Sequence, residues 1–253
     1  MTTNILIGLA AGFFGGLVGL GGGVIMIPLM VGVLKMNQHM AHGTSLVALI
    51  FTGLAGAVTY GLNGSVDIMA AVLLASTAVF TARAGARYAN ALPEWKLKKA
   101  FGGFLVFVTI MLLIKPYLPH LSATTAEWVK IAILLMTGCF TGFLSGMMGV
   151  GGGTIMVPSM VLLLGFTQYM AQGCSLLAMV PVGAVGAYTH WRLGNVSTSI
   201  LSGLVPGILI GTYLGGSLAH ILPEVALRII FAIVMIRTGI KYLRTPKPQP
   251  DVA

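Results

Sequence analysis

Three consecutive glycines, Gly21-Gly22-Gly23, interrupt an apolar run from Asn4 to Leu34 that carries no charged residue. A glycine in a helix interior costs about 1 kcal/mol relative to alanine. Pro28, shortly after the triplet, removes a further backbone donor. The run therefore predicts two helical pieces joined by a glycine bend. The stretch GLGGGVIMIP at residues 19–28 returns as GVGGGTIMVP at 149–158, an offset of 130 residues. The register persists beyond the motif. Ala41-His42-Gly43-Thr44-Ser45-Leu46 aligns with Ala171-Gln172-Gly173-Cys174-Ser175-Leu176, and Leu92-Pro93-Glu94 with Leu222-Pro223-Glu224. Gly64, Gly85 and Phe101 align with Gly194, Gly215 and Phe231, without a gap. Two copies are too few for a solenoid. A duplicated unit with a broken apolar segment in each copy points to a secondary transporter.

The chain of 253 residues is 57% hydrophobic and 8% charged, with a mean hydropathy of +0.98. Soluble domains carry roughly 25% charged residues, so the fold class is an all-α polytopic membrane protein. The net charge of +9 reads as basic residues holding cytoplasmic loops, with acids scarce because they are costly in lipid. It does not cluster on a soluble domain, and nucleic acid is not an expected partner. The N-terminus has no basic n-region and is expected to be retained. Cys139 and Cys174 lie in apolar segments and are expected to be buried small residues rather than a disulfide or metal pair. The expected organisation is a first repeat at 1–118, a polar linker at 119–127, a second repeat at 128–243 and a disordered tail at 244–253.

Hydropathy divides the first repeat into a broken run (4–34) and segments at 43–62, 68–91 and 100–118. The second repeat follows at 128–164, 174–191, 198–221 and 225–243. Lys96, Lys98 and Lys99 follow the third segment, while Arg237, Lys241, Arg244 and Lys247 crowd the end of the last. The positive-inside rule places both groups in the cytoplasm. Four crossings per repeat would put them on opposite faces, whereas an odd number puts both inside. The expectation is two homologous inverted-topology repeats, about 8–10 membrane segments, and both termini cytoplasmic. Lys35 and Arg192 agree with it, and Lys115 and Arg228 are exceptions. The broken run either crosses twice, giving five helices per half, or returns as a re-entrant hairpin.

A glycine bend followed by a helix start leaves backbone N–H groups unpaired at the positive end of the helix dipole, which suits an anion. In lipid such backbone is tolerated only when buried in protein or lining a wet cavity. The candidate substrate-binding residues are accordingly Gly21, Gly22, Gly23 and Val24, with Gly151, Gly152, Gly153 and Thr154 in the second copy. Gly12, Gly15, Gly16 and Gly138 are assigned to close helix packing instead. Gln38, Thr44 and Ser45, with Gln168, Cys174 and Ser175, fall between apolar segments. They serve either as helix N-caps or as hydrogen-bonding partners of a bound oxyanion. Arg83 and Arg87 share one helix face; Arg83 is the pathway candidate, the alternative being a side chain that snorkels to the interface. His190, beside Trp191 and Arg192, is expected in an interfacial belt. The acids Asp67, Glu94, Glu127, Glu224 and Asp251 all lie in loops or at segment ends. No carboxylate is placed mid-membrane to bind a cation or relay a proton. Neither a His-Glu-x-x-His motif nor a Gly-x-Ser-x-Gly elbow occurs, and no enzyme activity or cofactor is expected.

The duplicated Gly-x-Gly-Gly-Gly-x-x-x-x-Pro, each copy followed by Gly-[Thr/Cys]-Ser-Leu, resembles the TauE/SafE sulfite exporter family over residues 5–243. The resemblance implies a permease of the bacterial cytoplasmic (inner) membrane that moves sulfite, organosulfonates or related small anions. Val24 follows the first triplet where Thr154 follows the second, so the bends are not chemically equivalent. The alternatives are a permease for a small carboxylate and a non-transporting membrane assembly protein. Expected partners are the anionic substrate, the lipid bilayer and, as one option, a second copy in a homodimer.

Overall fold

The computed structural model describes residues 2–114, 127–219, 221 and 223–246. Linker residues 119–126, Lys115 and the tail from 247 lie outside the described residues. Ten helices are described. The first half holds α1 (Thr2–Val18), α2 (Gly23–Gly32), α3 (Gln38–Leu62), α4 (Ile68–Ala91) and α5 (Glu94–Ile114). The second holds α6 (Glu127–Met148), α7 (Gly153–Leu163), α8 (Gln168–Arg192), α9 (Leu201–Ala219) and α10 (Glu224–Leu243). Each half therefore holds five helices, but the broken run does not cross twice. At 1.5 Å per residue, α2 reaches about 15 Å and α7 about 16 Å, half a hydrocarbon core of ~30 Å. Each is a short return arm and not a crossing.

The glycines end α1 and α6 as expected. Gly19 and Gly149, with φ of 69° and 64°, take the left-handed conformation that closes a helix C-terminus. Other boundaries depart from the hydropathy reading. α3 and α8 begin at Gln38 and Gln168, not at 43 and 174, and their N-caps are Asn37 and Thr167, which accept from Met40 N and Met170 N. Thr44 and Ser45 thus lie inside α3, so the capping role is withdrawn for them and for Cys174 and Ser175 in α8. α5 likewise starts at Glu94, directly after Pro93, and α6 takes Glu127 from the expected linker.

The halves interlock by exchanging helices. Gly8, Gly12 and Gly16 of α1 lie against Leu204, Ile208 and Thr212 of α9, a parallel register at four-residue spacing. Gly138, Gly142 and Gly146 of α6 repeat this against Leu74, Ala78 and Ala82 of α4. Small residues allow this backbone approach, which supplies the dispersion contacts that hold helices together in lipid. Gly12, Gly16 and Gly138 are packing positions, as expected, and a Cβ on Gly15 would press on Gly22 instead. Corresponding helices run antiparallel where they meet. Gly53 and Gly56 of α3 face Leu176 of α8, while Gly183 and Gly186 of α8 face Leu46 of α3. In α5 and α10, Gly102 faces Gly239 and Leu243, and Gly239 faces Val106.

The outer surface is apolar. Phe80, Met136, Val58 and Phe140 are among the large side chains left exposed. Patches of this extent mark a surface meant for another apolar phase. α3, α4, α6, α8 and α9 are each long and apolar enough to cross a membrane.

Candidate functional site

The two bends meet at the centre of the protein. A Cβ on Gly23 would lie 2.5 Å from the Gly149 carbonyl oxygen, and one on Gly153 would lie 2.5 Å from that of Gly19. Leu49 and Met179, at equivalent positions of α3 and α8, wedge against Gly21 and Gly151. All eight residues of Gly21–Val24 and Gly151–Thr154 are buried. The amides of Ile25 and Met26 turn back to the Gly22 carbonyl, and those of Ile155 and Met156 to Gly152. The amides of the eight residues before them donate to no described residue. Buried unpaired N–H groups are rare and costly, so this set is the most unusual polar feature of the core. Thr154 also borders a lateral cavity of about 210 Å³ with Phe107, Phe140 and Pro158, where the first half has Val24.

The polar side chains around the bends hold the opposite half. Ser45 Oγ shares its hydrogen between the carbonyls of Gly149, at 2.6 Å, and His42, at 2.8 Å. Ser175 Oγ donates to the Gly19 carbonyl at 3.4 Å, the same contact in looser form. Thr44 Oγ1 accepts from Ser197 N at 2.9 Å, and Cys174 Sγ accepts from Asp67 N at 3.2 Å. Ser45 and Ser175 therefore reach the bends. Thr44 and Cys174 tie α3 and α8 to connections of the other half. Gln38 sits about 10 Å before Ser45 along α3, where its amide donates to His42 Nε2 at 2.7 Å. Gln168 is half-buried at the start of α8 and is not brought to the bends.

A second polar layer surrounds the C-terminal turns of α1 and α6, and Tyr60 is its one member that the sequence did not single out. Tyr60 Oη lies 2.9 Å from both the Gly16 carbonyl and Gln172 Oε1, and Gln172 Nε2 donates to Val18 O at 3.0 Å. In the other half His190 Nε2 donates to Gly146 O at 2.9 Å and His42 Nδ1 to Met147 O at 3.0 Å. Tyr60 with Gln172 and His190 with His42 are thus equivalent clamps on the C-terminal turns of α1 and α6. His190 is fully buried, which corrects its placement in an interfacial belt; Trp191 and Arg192 beside it are exposed. Cys174 is buried as expected, but Cys139 is exposed on α6. Among the described residues no three His, Cys, Asp or Glu side chains converge on a metal-sized site.

Charge is concentrated at one end. Lys35, Lys98, Lys241 and Arg244 border a cavity of about 430 Å³. Arg83, Arg87 and Arg192 border another of about 550 Å³ between α4 and α8. Arg83 thus lies in a peripheral groove, away from the bends. The opposite end has a cavity bordered by Asp67, Glu127 and Lys130. Asp67 caps α4 through Ala70 N, and Glu94 accepts from Gln38 N and pairs with Lys98 Nζ at 2.9 Å. Both carboxylates have structural partners.

A helical protein with an apolar exterior, interlocked halves and two buried helix breaks at its centre has the anatomy of a membrane transporter. The sequence profile of the family described as Sulfite exporter TauE/SafE matches residues 4–242. The chain belongs to the TauE/SafE family. It is 28% identical to "Probable membrane transporter protein YunE" of Bacillus subtilis (strain 168), covering 93% of this chain and 94% of that one. It is 25% identical to "Probable membrane transporter protein YdhB" of the same organism, over 88% and 92% of the two chains. An archaeal relative, "Probable membrane transporter protein MJ0441" of Methanocaldococcus jannaschii, is 24% identical over 76% and 72%. These relatives are named as transporters, not enzymes. No solved structure matches the chain.

Proposed function

We propose that this transporter moves small sulfur-containing oxyanions, such as sulfite or organosulfonates, across the cytoplasmic membrane through a site at the paired bends. The observation that carries the proposal is the set of eight buried amides at Gly21–Val24 and Gly151–Thr154 that donate to no described residue. An oxyanion accepts from such donors, and the N-terminal ends of α2 and α7 add their dipoles. No described carboxylate borders the bends, so a cation has no counter-charge there. The printed name of the matching family supports sulfite as the first substrate to try.

The two halves span the bilayer in opposite orientation, with both termini and the basic end in the cytoplasm. The antiparallel pairing of α3 with α8 and of α5 with α10 supports this topology, as does the positive-inside rule. Repeats so related exchange conformations by rocking about the central site. The tight Ser45 contact and the loose Ser175 contact are then the same joint in its two settings.

The test is flux into proteoliposomes of sulfite, taurine, a small carboxylate and a small amine, under imposed pH and Na⁺ gradients. Sulfite or sulfonate flux that falls in Gly152→Ala, a bend substitution the fold tolerates, supports the proposal. Amine flux, or carboxylate flux without sulfur anions, overturns the substrate class.

A further inference from the structure

We propose that the cavity between α4 and α8 holds the phosphate headgroup of an anionic phospholipid, which ties the two halves together at one bilayer face. Arg83 and Arg87 of α4 and Arg192 of α8 border a space of about 550 Å³, large enough for a phosphodiester headgroup. No acid borders it, and none of the three guanidinium groups has a hydrogen bond or ion pair among the described residues. A guanidinium presents a planar donor fork that fits phosphate oxygens. Three on one cavity suit a headgroup with one or two phosphodiesters. The repeat does not demand this charge. The positions equivalent to Arg83, Arg87 and Arg192 are Tyr213, Ser217 and Leu62. A role in helix packing common to both halves would not need arginine in one and apolar or neutral residues in the other.

The surroundings favour a lipid over a free anion. Arg83 lies eight residues before the end of α4, about 12 Å along the axis, which is below the helix rim. Tyr188 borders the cavity and is 57% exposed, next to Trp191 with ring centroids 6.1 Å apart. Amphipathic rings of this kind settle at headgroup level. Phe80, one turn before Arg83, is 80% exposed. Acyl chains attached to a phosphate in the cavity therefore have apolar surface to follow. A basic pocket between membrane helices at a cytoplasmic face is a known form of lipid recognition.

The test uses the full-length protein, stripped of lipid in a mild detergent and titrated with cardiolipin, phosphatidylglycerol or phosphatidylcholine. Native mass spectrometry counts bound lipids and thermal unfolding gives Tm. Cardiolipin and phosphatidylglycerol should bind and raise Tm, while phosphatidylcholine and millimolar inorganic phosphate should not. Affinity for cardiolipin should fall at least tenfold in R83Q/R87Q/R192Q and stay within twofold in K96Q/K99Q. An unchanged affinity in the triple variant overturns the proposal, as does an equal loss in both variants. The same Tm rise with inorganic phosphate reassigns the cavity to a soluble anion. A photoactivatable phosphatidylglycerol on the unaltered chain reads the site without any substitution. Its label should fall within 80–91 or 185–193, and labelling elsewhere refutes the assignment.

Discussion

Gly22 and Gly152 hold equivalent places in the two triplets, yet they should respond very differently to alanine. Gly22 has φ 76°, and a Cβ there would run into the carbonyl oxygen of Ala11 on the neighbouring α1 backbone. The left-handed conformation costs a residue with a Cβ roughly 1–2 kcal/mol. Overpacking against backbone that cannot yield adds roughly 1–3 kcal/mol. Gly152 has φ −80° and ψ −17°, an ordinary helical conformation. The nearest atoms to its Cβ would be the end of the Met156 side chain, with Cε at 2.7 Å and Sδ at 2.9 Å. A flexible thioether can move aside, and the lost freedom of the unfolded chain returns about 0.4–1 kcal/mol. Gly22→Ala should therefore destabilise by about 2–5 kcal/mol, and Gly152→Ala should stay within about 1 kcal/mol of the parent. For a chain of this length that is a Tm drop of about 4–20 °C against a shift below about 4 °C. The assay is thermal unfolding of both purified variants in one detergent. A parental Tm for Gly22→Ala, or equal losses in the two, would refute the steric account. Gly152→Ala is consequently the variant in which binding can be measured apart from folding.

Ser45→Ala removes a 2.6 Å contact to the Gly149 carbonyl and should cost about 1–3 kcal/mol. Ser175→Ala, which removes a contact of 3.4 Å, should cost less, and the order of the two Tm values checks it. Asp67→Asn should retain both fold and flux, because asparagine caps a helix as well as aspartate; abolished flux would bring a carboxylate into coupling. In a Cys139→Ser background, cysteines at Lys98 and Arg244 should label from one face and a cysteine at Ile68 from the other. Opposite labelling of Lys98 and Arg244 would refute the inverted topology.

The break in the first segment was legible because glycine triplets in an uncharged apolar run have no other stable outcome. The repeat was legible because it continues without a gap. The starts of α3 and α8 were not, because Gln38, His42 and Thr44 look like loop residues by hydropathy. His42 donates to a carbonyl at the end of α6 in the other half and Thr44 accepts from Ser197 N of that half, while Gln38 bonds to His42 and Glu94 of its own. The signal was in the pairing: Leu49 with Met179, Tyr60 with His190 and His42 with Gln172 share repeat positions, with Tyr60 and His190 reaching α1 and α6 of their own copy and Gln172 and His42 reaching the same two helices from the other copy. The contacts of Ser45 and Ser175 were not legible for the same reason. Their neighbours come from the other half, and one copy of the sequence does not display them.

The parallel seam between α1 and α9 has a consequence for how the chain is made. The Gly8, Gly12 and Gly16 face of α1 finds its partner only in α9, which begins about 200 residues later. At 5–20 residues per second, synthesis leaves that face waiting roughly 10–40 s. A helix made some 200 residues ahead of its partner is thus locked in place only when that partner follows. During that wait the narrow glycine face is open to lipid, to an insertion factor or to a seam from another nascent copy. A ribosome pausing before Leu201 prolongs this window, and fusing α9 ahead of α1 would close it.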